Sequence, residues 1–198
     1  MKILFNGCSW TRGAELENEE EERFATLVCR ELKADCDMLG QGATGNHRIT
    51  RTTLSKLEKS SYDLAVIQFS QPSRTEFYRD GLYDSVLWHV SVKGRIGGSR
   101  KKYWDEDIRH FWYTYYKKIY QDKYGSDEEK MFLTAIRNTC IVKKIPLIMM
   151  TINKDTIHDF DINLLKMNLP LHRNNHPTKE GHRMICSEIL RKYEDITY

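Results

Sequence analysis

Ile3-Leu4-Phe5-Asn6-Gly7-Cys8-Ser9-Trp10-Thr11-Arg12-Gly13 decides how this chain is read. A short apolar run stops at Gly7, a hydroxyl follows at Ser9, and a second glycine closes the loop at Gly13. The pattern predicts a strand over Lys2–Asn6 with Ser9 just beyond its carboxyl end, where open α/β sheets present ligand sites. At the far end of the chain stand His176-Pro177 and Gly181-His182. A serine and a histidine so far apart in sequence can form a nucleophile–base pair only if the fold joins them.

Further strand-like runs are Asp37–Gly40, Leu64–Phe69 and Pro146–Ile152, with Leu64–Phe69 apolar enough for a central strand covered on both faces. Between them lie helical spacings: Glu20–Lys33 with Phe24, Leu27, Val28 and Leu32 on one stripe, and His47–Lys59 with Ile49, Leu54 and Leu57. Ser126–Lys143 opens on an expected cap, Ser126, with Glu129 three residues on as a capping box. The last expected helix is Thr178–Tyr193. Strands alternating with helices imply a three-layer α/β/α sandwich with a mainly parallel sheet of about five strands, flavodoxin-like in outline.

The 198 residues fit a single α/β domain over 1–198. Residues 75–125 interrupt the alternation with aromatics (Phe77, Tyr83, Trp104, Trp112, Tyr116 and others) mixed with Arg95, Arg100, Lys101 and Lys102. They read as an insertion, helical from Asp105 to Lys123, with Gly94–Ser99 as its mobile loop. Apolar residues make 40%, charged residues 30%, and the net charge is +3, too weak a bias to argue for nucleic acid. The five cysteines are odd in number and form no CxxC pair, and Met1–Phe5 is too short for a signal core, so reduced thiols, a cytoplasmic setting and no membrane partner are expected. P-loop, GxGxxG, HExxH, GxSxG and zinc-spaced Cys/His patterns do not occur, and no cofactor or metal is expected.

Four blocks in order resemble the SGNH hydrolases, the GDSL-type esterases and lipases. Gly7-Cys8-Ser9 with Gly13 is similar to the first block, Gly40-Gln41-Gly42-Ala43-Thr44-Gly45-Asn46 to the second, Phe69-Ser70-Gln71-Pro72 to the third, and Arg173-Asn174-Asn175-His176-Pro177 to the fourth. The terse first block resembles those of phage-encoded members. The resemblance implies a serine esterase that deacylates a glycan or small ester. It makes Ser9 the nucleophile and His176 the base, with Ser9, Gly45 and Gln71 as oxyanion donors. Arg74, Ser70 and Trp10 are expected at the substrate, and Asn46 as a helix cap. Arg74 and Glu76 are expected to form a surface ion pair.

Arg173 stands where the family carries the aspartate that orients the histidine. In serine proteases, exchanging that acid for Asn costs about four orders of magnitude in kcat. Asn174, a backbone carbonyl, or Asp155, Asp159 or Asp161 would have to replace it, or the chain runs on a Ser9–His176 dyad. The alternatives are an inactive binding protein for glycan or nucleic acid on this fold, or an acyltransferase. The oligomeric state is not legible.

Overall fold

The computed structural model describes residues 1–79, 81–89, 95–98 and 104–197. Five parallel strands form the main sheet: β1 (Lys2–Asn6), β2 (Asp35–Met38), β3 (Leu64–Phe69), β7 (Leu147–Thr151) and β8 (Ile162–Asn163), in the order β2-β1-β3-β7-β8. Helices α3 (Phe24–Glu31) and α7 (Lys179–Thr197) pack together on one face, and α4 (Asn46–Lys59) and α6 (Asp122–Lys143) on the other. The expected α/β/α sandwich is borne out. Alternation within the strands builds both cores: Ile3, Phe5, Leu64, Val66, Ile148 and Met150 face α3 and α7, while Leu4, Ala65, Ile67 and Met149 face the other layer. Strands buried on both faces read as continuous apolar runs, which is why Lys2–Asn6 and Leu64–Phe69 are bounded in sequence where they are in space. The order reverses direction between β1 and β3. The carboxyl ends of the strands at such a switch point are the favoured ligand position of these sheets.

Three local expectations change. The helix predicted from Glu20 splits into α2 (Glu19–Glu22) and α3 at Arg23, whose ψ of 144° is extended. The break lets the Phe24 N–H donate to His182 Nδ1 at 3.1 Å, with the two rings stacked at 5.6 Å. Tertiary contact overrides helical spacing here. Helix α6 starts at Asp122, so Ser126 is no cap but lies a turn inside, its carbonyl 2.8 Å from His158 Nε2. Helix α5 (Glu106–Lys118) ends in a reversal in which the Tyr120 N–H returns to the Tyr115 carbonyl, and Asp122 takes the first turn, where a carboxylate suits free N–H groups. Glu129 is buried and accepts from the Thr156 hydroxyl at 3.0 Å instead of closing a capping box.

The segment from 75 holds strands as well as a helix. β4 (Thr75–Arg79), β5 (Leu82–His89) and β6 (Arg95–Gly98) form a separate antiparallel sheet. Its β4–β5 register pairs Arg79 with Leu82, and Gly81 lies just before Leu82 at φ 77°, a value typical of hairpin turns. Within the expected mobile loop, Arg95–Gly98 is strand. Gly94, Ser99, Arg100, Lys101, Lys102 and Tyr103 lie outside the described residues. Phe77, Trp104, Trp112 and Tyr116 pack on one another, and the Tyr116 hydroxyl donates to the Ser73 carbonyl at 2.7 Å. These rings make a local core anchored to the loop after β3. Among the described residues, no helix is long and apolar enough to cross a membrane.

Burial pushes His182 down to about 4, with His172 and His176 adding to the effect. It is neutral in the fold, so below its ordinary value the unfolded chain takes up a proton that the folded chain refuses. Stability therefore falls as pH drops from 6.5 toward 4, by about 3 kcal/mol at full extent. Urea titrations of the wild type and His182→Gln at pH 7 and pH 4.5 should show the smaller acid loss in the variant.

Candidate active site

The loop after β1 is held from below by two buried carboxamides. Asn6 accepts the Gly7 N–H at 2.9 Å and donates to the Ile49 carbonyl and to the Thr52 and Thr53 hydroxyls of α4 at 2.8–2.9 Å. On β3, the Gln68 carbonyl oxygen accepts from the Cys8 N–H at 3.2 Å and the Thr11 hydroxyl at 2.9 Å. Both side chains are fully buried, their oxygens satisfied by the loop and their amide N–H groups by α4 and by the Phe69 carbonyl. Ser9 opens the four-residue helix α1 (Ser9–Arg12), which Gly13 ends at φ 92°, a left-handed value that glycine adopts without cost. The Gly13 and Ala14 N–H groups both return to the Ser9 carbonyl. Cys8 is buried and turned into the core, as its place before the loop apex implies.

His176 hangs from a short closed loop. Leu171 bridges Pro177, the His172 N–H donates to the His176 carbonyl at 2.8 Å, and the Asn175 N–H returns to the His172 carbonyl at 2.9 Å. Asn175 takes the tight corner at φ 64°. This hairpin brings His176 Nε2 to 2.9 Å from Ser9 Oγ, across 167 residues of sequence. On the other side of the ring, Nδ1 lies 2.9 Å from Glu15 Oε2. Asn174 Nδ2 donates to the second oxygen of Glu15. Those hydrogen bonds, from Asn174 first and His176 second, hold the Glu15 carboxyl below its ordinary range.

Glu15 is the residue that sequence reasoning missed. Asn174 reaches it rather than the imidazole. Asp161 accepts the Met149 N–H at 2.7 Å, Asp155 lines the cavity that starts at Gln71, and Arg173 is exposed. The signal available was only a carboxylate shortly after the loop-closing glycine, which spacing alone does not distinguish from a surface residue.

The second and third blocks meet behind the site. Gly45 caps α4, and a Cβ there would run into the Arg74 carbonyl, so this glycine is required by a close backbone approach. Asn46 is not the cap but the first helical residue. Its Oδ1 accepts the Ser70 N–H at 2.8 Å and its amide donates back to the Ser70 carbonyl, clamping α4 to the end of β3. Ser70 is fully buried, its hydroxyl without a partner. Trp10, expected at the substrate, is 5% exposed and packs in the core beneath α3 and α7, a correction that follows from its inward phase on α1. Gln71 Nε2 donates to the Ile152 carbonyl at 2.8 Å, which occupies one of its two N–H groups. Glu76 pairs with Arg51 at 2.8 Å and not with Arg74, because α4 lies against β4.

From Gln71 and Pro72 a cavity of about 840 Å³ runs between Tyr116, Tyr120, Asn153 and Asp155. Among the described residues there is no group of three or more His, Cys, Asp or Glu side chains that could hold a metal ion.

No family model matches the chain, and no curated protein matches it. Solved structures do. A psychrotrophic esterase, EstA from Pseudoalteromonas sp., aligns at a TM-score of 0.57 with 11% identity, covering 98% of this chain and 97% of its own. A lipolytic protein of the G-D-S-L family from Desulfitobacterium hafniense aligns at 0.54 with 9% identity, covering 96% and 98%. A carbohydrate esterase family 2 enzyme with its carbohydrate-binding domain, from Corynascus thermopiles, aligns at 0.53 with 11% identity, covering 96% and 64%. The chain has the fold of the GDSL-type esterases, at identities where the likeness is one of fold.

Replacing Gln68 with Leu leaves the buried Cys8 N–H and Thr11 hydroxyl without their acceptor. The expected cost is about 2–4 kcal/mol of stability, read as a lowered urea midpoint at unchanged slope.

Proposed function

We propose that this protein is a serine ester hydrolase. The observation that carries the reading is the 2.9 Å contact between Ser9 Oγ and His176 Nε2, beyond the carboxyl end of β1. That distance lies within direct proton-transfer range. A serine hydroxyl is a weak nucleophile until a base takes its proton. In the proposed reaction, Ser9 Oγ attacks the acyl carbon while His176 Nε2 accepts the hydroxyl proton. The imidazolium then protonates the leaving alcohol as the ester C–O bond breaks, leaving an acyl-Ser9 ester. Water, deprotonated by the same imidazole, releases the acid and restores Ser9.

The developing oxyanion needs donors fixed in advance. Ser9 is the first residue of α1, so its own N–H has no intrahelical acceptor. Gly45, held against Arg74, and the remaining N–H of the Gln71 amide complete the proposed set. The leaving group is proposed to be a sugar-like alcohol, with acetyl or another small acyl group as the ester. The cavity beyond Gln71 supports this, because tyrosine rings beside amide and carboxylate groups suit a polyol. So does the likeness to a carbohydrate esterase.

A fluorophosphonate probe should label the wild type once per chain, at Ser9. Labelling should vanish in Ser9→Ala and slow by about 10³-fold in His176→Ala, with hydrolysis of p-nitrophenyl acetate falling in parallel. A wild type that is neither labelled nor hydrolytic refutes the reading.

A further inference from the structure

We propose that Glu15 is the positioning acid of this site, supplied by the loop that follows the nucleophile instead of by the residue three places before the histidine. The inference rests on the hydrolase reading above.

The ring of His176 has two nitrogens, and only one can face Ser9 as a lone pair. Glu15 Oε2, an acceptor at 2.9 Å, requires the proton on Nδ1 and so leaves Nε2 free to take the Ser9 proton at 2.9 Å. The same carboxylate stabilises the imidazolium that forms during attack. Its other oxygen is held by Asn174, two residues before the histidine, so the acid and the base are registered to each other from the same loop.

Nearby cations do not compete. Arg12 is taken by Glu19 at 2.9 Å and Lys179 by Glu22 at 2.7 Å. Among the described residues, the ion-pair partner left to Glu15 is the imidazole. The backbone points the same way. Glu15 sits at φ 73°, a left-handed conformation that costs a side-chain-bearing residue on the order of 1 kcal/mol and glycine almost nothing. A strained non-glycine residue, two places after a glycine that already uses this region, is consistent with a side chain kept for its contact. Arg173, at the family's acid position, is exposed. Nucleophile and acid thus come from one segment, residues 9–15, and the base with its brace from another, residues 174–176.

The test compares Glu15→Gln, Glu15→Gly and the double variant Glu15→Gln/Arg173→Asp with the wild type. Glutamine keeps the shape but can donate to Nδ1 and select the wrong tautomer. Its kcat on p-nitrophenyl acetate should fall by about 10²–10⁴-fold at a KM changed less than about twofold. The melting temperature should hold, and in Glu15→Gly it should not drop, since strain is relieved while activity is lost. Nitrogen-15 NMR of the His176 ring should show the Nδ1–H tautomer in the wild type and its loss in Glu15→Gln. Moving the acid in the double variant should recover at least about tenfold in kcat. The proposal is overturned if Glu15→Gln keeps kcat within about threefold and the tautomer is unchanged. If wild-type Ser9 is inert, the hydrolase reading fails instead, and the tautomer measurement still decides whether Glu15 orients the ring.

Discussion

One buried carbonyl oxygen, that of Gln68, fixes where the loop after β1 sits. Placed on the central strand and sealed from water, it accepts the Cys8 N–H and the Thr11 hydroxyl from either side of Ser9. Asn6 does the matching work toward α4. A loop at a sheet's end carries backbone groups that cannot all find partners within the sheet. Here two strand carboxamides supply partners and tie the turn bearing Ser9 to the sheet beneath it. The position of Ser9 therefore follows from the register of β1 against β3, where Phe5 pairs with Val66 and Asn6 with Ile67.

Much of this was legible in the sequence, for reasons that differ by element. Strands β1 and β3 are mostly apolar, Ile3–Phe5 and Leu64–Ile67, and are followed by polar or glycine residues, so burial marks their extent. The ends of α3 and α6 were not legible, because both are set by partners distant in sequence or by a reversal: His182 at Phe24, and the Tyr120 turn before Asp122. The three-stranded sheet was obscured by aromatic density, although the Asp80-Gly81 hairpin signature lies in plain view. Of the site, Ser9 and His176 were legible from ordered blocks. Glu15 was not, since its approach depends on left-handed φ values at Gly13 and at Glu15 itself, which no pattern of residue types announces.

The aromatic segment divides between packing and exposure. Rings interleaved with basic residues suggest a stacking platform for a ligand. In the fold Trp104 and Tyr116 are buried, Phe77 and Trp112 lie against them, and Tyr83 lies under the Arg51 guanidinium at 3.6 Å. These rings hold the small sheet to α5, while Tyr78, Phe111, Tyr113 and Tyr124 remain exposed. Tyr116 and Tyr120 also line the cavity that starts from Gln71.

The Ser9–His176 contact joins groups 167 residues apart. Closing so long a loop is slow and entropically costly, so this pair forms only when nearly every intervening element has found its place. Synthesis supplies the hydroxyl well before the imidazole. The reactivity proposed for Ser9 would thereby read out completed folding, silent in misassembled chains.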